Sequence, residues 1–213
     1  MRIYLIRHGE TEWNTRHLLQ GATDIPLNQN GVEVARITAE ALKDVPFDVV
    51  FTSPLKRAYE TAEIMRRDRD IPLIPDERLK EICFGVYEGL CCGKDGWNIP
   101  DPAFQNFFTD PAHYMPPEGG ETIAELCVRA TDFLTELIDD PEYRDKTVLV
   151  SGHGALVKGL LSSLLITDQA DFWRGGVHKN CAVSIIDVEK GKARVTQENV
   201  IYYDKARSTN YLE

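Results

Sequence analysis

Short apolar runs and longer amphipathic stretches alternate along this chain. Residues 2–6 (RIYLI), 48–52 (DVVFT) and 147–151 (TVLVS) are apolar almost without interruption, as in strands covered on both faces. Between these runs the hydrophobic period lengthens to three or four. Residues 31–43 bring Val34, Ala35, Ala39 and Leu42 to one helical face, with Asn30 placed to cap it. Residues 55–67 do the same with Leu55, Ala58, Ala62 and Met65. The clearest helix spans 121–138, where Ile123, Leu126, Cys127, Ala130, Phe133, Leu134 and Leu137 recur, and another follows over 155–165. Two last strands, 181–188 and 193–198, meet at Lys190-Gly191. The alternation predicts an α/β fold, a mostly parallel central sheet with helices on both faces. No linker or repeat divides the chain, so residues 1–213 read as one domain. Residues 90–117 depart from the pattern. They are irregular and hold Trp97, Phe104, Phe107, Phe108 and Tyr114, about twice the density of the chain's 9% aromatic content. This segment reads as an inserted lid or pocket wall, with a satellite hydrophobic cluster as the alternative. Residues 202–213 read as a polar tail or an edge-covering segment.

Composition narrows the functional classes. A chain of 213 residues buries roughly 70% of the surface its unfolded form exposes, enough to fold without disulfides or metals. Lys and Arg number 24 against 34 Asp and Glu, a net charge of −10. That field disfavours nucleic acid and anionic membranes as partners, so any anionic ligand must meet positive charge gathered locally. The apolar stretch 3–6 is too short for a secretory leader, and 155–166 contains Lys158 and two serines and falls short of a membrane span. The five cysteines (Cys83, Cys91, Cys92, Cys127 and Cys181) include no CxxC, which argues against a zinc ribbon or redox dithiol and fits a reducing, cytoplasmic setting. For the adjacent Cys91-Cys92, buried thiols are the commoner explanation than a redox pair.

Open parallel sheets bind ligands beyond the carboxyl ends of their strands. Past the first strand comes Arg7-His8-Gly9-Glu10-Thr11, past the second Ser53-Pro54-Leu55-Lys56-Arg57, past the third Gly152-His153-Gly154; Leu79-Lys80-Glu81-Ile82 lies between. Two arginines at one sheet edge make a permanently cationic fork matched to phosphoryl oxygens. Helix starts after Gly9 and Gly154 are expected to add amide donors. A neutral imidazole at His8, kept neutral by the nearby cations, is a competent nucleophile toward phosphorus. His153 is placed to donate to non-bridging oxygens, and Glu81 to protonate the departing alkoxide and then deprotonate water. Glu10, Glu88 and Glu121 compete for that last role. A metal site built from His8, His153 and Glu81 is disfavoured, because two arginines would sit beside the dication. Residues 149–154 (LVSGHG) lack the glycine two before the serine that a hydrolase elbow needs.

These motifs resemble the histidine phosphatase superfamily, the phosphoglycerate-mutase-like proteins. The signature Leu5-Ile6-Arg7-His8-Gly9-Glu10-Thr11 is highly specific, and Trp13-Asn14, Gln20-Gly21, Asp24-Ile25-Pro26-Leu27 and Gly31 follow it. Ser53-Pro54-Leu55-Lys56-Arg57-Ala58 with Thr61-Ala62, Leu79-Lys80-Glu81 with Phe84-Gly85-Val86-Tyr87-Glu88-Gly89, Gly119-Gly120-Glu121-Thr122, and Val150-Ser151 with His153-Gly154 complete the likeness. The resemblance implies a three-layer α/β/α sandwich. It implies His8 as the phosphorylated nucleophile, with Arg7, Arg57 and His153 completing the phosphate pocket and Glu81 as proton donor. Asn14 resembles a further phosphate ligand; Gln20 and Gly21 border the substrate, with Gly154 beside His153. No metal or organic cofactor is implied.

Hydrolysis rather than mutase chemistry is the expectation. Residues 90–117 offer only Lys94 and the titratable His113 to hold a second phosphate, and 81–89 (EICFGVYEG) resembles the phosphatase branch. The expected partner is a small, singly phosphorylated metabolite with some apolar or ring character. A phosphoglycerate mutase and a non-catalytic phospho-ligand-binding protein are the alternatives. Oligomeric state is open, a homodimer included.

Overall fold

A computed structural model describes residues 1–165 and 168–208. In chain order the elements are β1 (Arg2–Arg7), the single turn α1 (Glu12–Thr15), α2 (Gln29–Ala41), β2 (Val49–Thr52), α3 (Lys56–Arg66) and β3 (Leu73–Pro75). The short α4 (Asn106–Thr109), α5 (Ile123–Asp139), β4 (Thr147–Gly152), α6 (Gly154–Leu165), β5 (Val183–Glu189) and β6 (Lys192–Val200) follow. The six strands form one sheet in the order β3-β2-β4-β1-β5-β6. β1, β2, β3 and β4 run parallel, while β5 pairs antiparallel with β1 and β6 antiparallel with β5.

Alternation along the buried strands divides the core between two faces, because successive side chains point to opposite sides of a sheet. Tyr4, Ile6, Val50 and Leu149 pack with Val34, Ala35 and Ala39 of α2 and Ala62 and Met65 of α3. Ile3, Leu5, Val49, Phe51, Val148 and Val150 face Leu126, Ala130, Phe133 and Leu134 of α5 and Leu156 and Leu160 of α6. The result is the expected three-layer α/β/α sandwich with a mostly parallel sheet.

Helix ends explain most differences from the sequence pattern. Asn28, not Asn30, caps α2 by accepting the Gly31 N–H at 2.7 Å; Asn30 instead donates to Glu10 Oε1. α5 starts at Ile123 rather than at 121 as expected, because Thr122 and Glu125 close a capping box and leave Glu121 outside. The β5–β6 turn falls at Lys190-Gly191 as expected, both with positive φ. Edge strand β3, three residues long and containing Pro75, carries too weak a period to be read from sequence. Tyr203 is buried and its hydroxyl donates to the Asn180 carbonyl, so the start of 202–213 covers the structure; residues 209–213 lie outside the described ones, as does Ile166.

Residues 90–117 join the main core rather than forming a satellite. Phe104 and Phe107 are nearly fully buried, and Phe104 contacts the rings of Phe84, Tyr87, Trp97, Phe107, Phe108 and Tyr114. Burying such a ring contributes about 1.5–3 kcal/mol, which offsets the cost of ordering an irregular segment. Among the described residues no helix is long and apolar enough to cross a membrane.

Candidate active site

Sheet register brings the candidate residues together. Ile6 and Thr52 both pair with Ser151 from opposite sides of β4, so the chain leaves β1, β2 and β4 at one level. One step beyond, the His8 N–H donates to the Gly152 carbonyl and the Ser53 N–H to the Ser151 carbonyl. His8, Ser53 and His153 are thereby neighbours although 145 positions separate the two histidines, whose ring centres are 5.2 Å apart.

His8 is buried, and its Nδ1 lies 2.6 Å from the Gly9 carbonyl oxygen. A carbonyl only accepts, so Nδ1 carries the proton and Nε2 keeps the lone pair. Burial first, then the charges of Arg57 and Arg7, hold the His8 pKa well below 6.5. The same causes, with Arg57 the leading charge, keep His153 neutral.

Both arginines are oriented by main-chain carbonyls, which fix a guanidinium without cancelling its charge. Arg7 Nη1 donates to the His178 carbonyl at 2.5 Å. Arg57, with no exposed surface, donates from Nη1 to the Thr23 carbonyl and from Nη2 to the Gly21 carbonyl, each at 2.7 Å. The loop supplying those carbonyls is pinned by Glu88, whose carboxylate accepts from the Ala22 N–H at 2.8 Å and from the Thr23 hydroxyl. Gly21 sits at φ +52, and a Cβ there would come within 2.1 Å of Glu88 Oε1. That position requires glycine on both counts.

Glu81 stands at the start of α6. Oε1 accepts from the Ile82 and Leu156 N–H groups at 3.0 Å, and Oε2 from the Ala155 N–H at 3.2 Å. The rival carboxylates are committed elsewhere: Glu10 accepts from the Asn28 and Asn30 amides, Glu88 holds the Ala22–Thr23 turn, and Glu121 pairs with Arg129 at 2.6 Å. The amide donors expected after Gly9 and Gly154 are also in use. The Gly9 N–H donates to Thr61 Oγ1, and the first amides of α6 serve Glu81.

An open cleft of about 510 Å³, partly continuous with solvent, is lined by Arg7, His8, Gln20, Gly21, Arg57, Glu81 and Gly154. His153 and Asn14 do not line it. His153 lies buried beside His8, and Asn14 Oδ1 accepts from the Thr11 N–H and Asn180 Nδ2 as part of the α1 cap. The opposite wall is apolar: Leu18, Leu19, Phe84, Cys92, Phe107, Phe108, Trp173 and Val177. Trp173 is a wall residue that sequence reasoning missed, since residues 168–180 carry no period and no motif. Its indole N–H donates to the Phe107 carbonyl, and Gln169 donates to the Pro111 carbonyl at 2.9 Å, stitching this segment to the 90–117 insertion. Cys91 and Cys92 are free thiols facing main-chain carbonyls, and burial pushes the Cys92 pKa up to about 12, which disfavours its thiolate at neutral pH.

An anion cradle of guanidinium groups with a neutral imidazole at its floor belongs to phosphoryl transfer, and that is the class the fold and the site define. Known proteins give the family. Residues 3–201 match the family model of the histidine phosphatase superfamily (branch 1), and the chain belongs to that family. It is similar to the uncharacterized phosphatase PhoE of Bacillus subtilis, 36% identical over 162 residues, 76% of each chain. The solved structure of Bacillus stearothermophilus YhfR superposes with a TM-score of 0.87 at 35% identity, covering 94% of this chain and 98% of that one. The 2,3-bisphosphoglycerate-dependent phosphoglycerate mutase 2 of Gloeobacter violaceus is 31% identical over 165 residues, 76% of this chain and 74% of the mutase.

Proposed function

We propose that this chain is a phosphomonoester hydrolase working through a phosphohistidine at His8, on a small, singly phosphorylated metabolite. The observation that carries the reading is the hydrogen bond from His8 Nδ1 to the Gly9 carbonyl, which leaves the Nε2 lone pair as the nucleophile beside two buried guanidinium groups. Arg7 and Arg57 bind the phosphoryl oxygens, His153 donates to one of them, and Gln20, Gly21 and Gly154 border the substrate. Asn14 acts from behind, by fixing the chain after His8.

The Nε2 lone pair attacks phosphorus. The ester P–O bond breaks, and its electron pair leaves on the alkoxide, which takes a proton from Glu81. Water then attacks the phosphoryl group while Glu81 accepts a water proton, the N–P bond breaks and inorganic phosphate leaves with His8 restored. Oε2 of Glu81, with its single longer contact to Ala155, is the oxygen suited to exchange that contact for the proton.

Residues 90–117 serve as the specificity segment of a single domain. Among the described residues lining the cleft, Arg7 and Arg57 are the cationic ones, which supports one phosphate rather than two and water rather than a retained phosphoryl acceptor. The apolar wall supports an alcohol moiety with ring or alkyl character. Phosphate release from benzyl phosphate, phosphoserine and 3-phosphoglycerate in chelator, with product isomers quantified, tests this reading. Protein quenched in denaturant at alkaline pH should hold a base-stable, acid-labile phosphoryl group that His8→Ala lacks, and kcat/KM should be highest for benzyl phosphate. Isomerised phosphoglycerate without phosphate release would instead establish a mutase.

A further inference from the structure

His153 carries a buried nitrogen that the fold leaves unmet. Its Nδ1 has no hydrogen-bond partner, while Nε2 lies 2.8 Å from Ser53 Oγ, in a pair with no exposed surface. Buried polar atoms are nearly always paired, and this unmet nitrogen belongs to a ring whose centre is 5.2 Å from that of His8.

Counting protons decides which form of His153 is present. Ser53 Oγ already accepts the Leu55 N–H at 3.3 Å. Were His153 Nε2 to donate to it as well, the serine proton would find no acceptor among the described residues, and Nδ1 would hold an unused lone pair. Two buried polar groups would go unpaired. With the hydroxyl donating to Nε2, Ser53 is satisfied on both sides and Nδ1 carries the proton, leaving one N–H to be met. Tautomer matters here because the ring is neutral and has a single N–H to offer. Ser53 can hold it firmly, because its own backbone is fixed by the Ser151 carbonyl at 3.0 Å and the Thr52 hydroxyl at 3.0 Å.

We propose that Ser53 is a positioning residue: its hydroxyl donates to His153 Nε2, fixes the Nδ1–H tautomer and thereby aims a neutral donor at a phosphoryl oxygen held over His8. A donor set before the reaction needs no reorganisation as charge shifts onto that oxygen. The catalytic consequence rests on the phosphatase reading; the tautomer itself does not.

Nitrogen-15 NMR of the histidine-labelled full chain tests the assignment, with His153 identified by the resonances lost in His153→Gln. The wild type should show Nδ1 protonated and Nε2 hydrogen-bonded but unprotonated. Ser53→Ala should shift His153 toward the other tautomer and lower kcat on an alkyl phosphate by about 10- to 100-fold with a smaller change in KM, as loss of a supporting contact does. Ser53→Thr, which keeps the hydroxyl, should recover most of that loss. A wild-type His153 protonated at Nε2 overturns the proposal whether or not the variants fold. So does Ser53→Ala with an unchanged tautomer and kcat within about twofold of wild type. An Nδ1–H ring in a protein that hydrolyses no phosphate ester would sink the functional reading and leave the Ser53 assignment standing.

Discussion

His8, Arg57 and Glu81 each draw their chemistry from what holds them rather than from residue type alone. In the proposed mechanism His8 attacks through Nε2, because Nδ1 donates to the Gly9 carbonyl and because burial and two arginines keep the ring neutral. Arg57, permanently charged, is aimed by the Thr23 and Gly21 carbonyls that accept from its Nη atoms. Glu81, the carboxylate expected from sequence ahead of Glu10, Glu88 and Glu121, meets the start of α6 at the cleft. Glu81→Gln can keep the Ile82 and Leu156 N–H contacts through its carbonyl oxygen, loses the one to Ala155, and cannot donate a labile proton. Turnover of an alkyl phosphate should fall about 100-fold or more, and that of p-nitrophenyl phosphate, whose leaving group needs little protonation, by less than about 10-fold. Equal losses in steady-state assays on the two esters would assign the proton to another group.

At the level of elements, the substrate wall is built from two segments that are distant in sequence. The 90–117 insertion announces itself by aromatic density, and its rings enter the main core as well as the cleft. Its counterpart around Trp173 is held by Gln169, by the Trp173 indole and by Lys158, whose Nζ donates to the Arg174 carbonyl at 2.5 Å and pairs with Glu198 at 2.8 Å. Trp173 also meets Phe107 edge-on at 5.3 Å between ring centres. Trp173→Ala removes both the ring and the link to the Phe107 carbonyl. We expect KM for benzyl phosphate to rise about 10-fold while kcat and inhibition by inorganic phosphate change little, since the phosphoryl half of the cleft is untouched. A kcat loss as large as the KM effect would place Trp173 in the chemistry. Periodicity finds the helices and buried strands, but it is blind to residues 168–180, where no regular element repeats a face.

Across the whole molecule, a net charge of −10 surrounds a cationic cleft, so phosphate recognition is local against an opposing global field. The same burial that serves catalysis makes stability depend on pH. His178 is pushed down to about 3 by burial, Lys158 and Arg7, and His8 and His153 also lie well below 6.5. Below pH 6.5 the unfolded chain takes up protons at these positions while the folded one does not, so each contributes stability that is present above 6.5 and lost as pH falls toward its folded value. Each such group removes up to about 1.4 kcal/mol per pH unit in that window. Urea midpoints should therefore drop from pH 7 to pH 5, before carboxylate protonation sets in, and His178→Gln should flatten the slope by about one proton. A midpoint constant over that range would contradict neutral burial of these rings. The layers, the strand ends and the residue types gathered there are legible in the sequence, because hydrophobic period and strand-end position are local properties of the chain. Tertiary structure alone decided how Glu81 meets α6, which asparagine caps α2, how Ser53 reaches His153 and where Trp173 closes the wall. Those are contacts between segments tens of residues apart, set by sheet register and packing, and no local pattern encodes them.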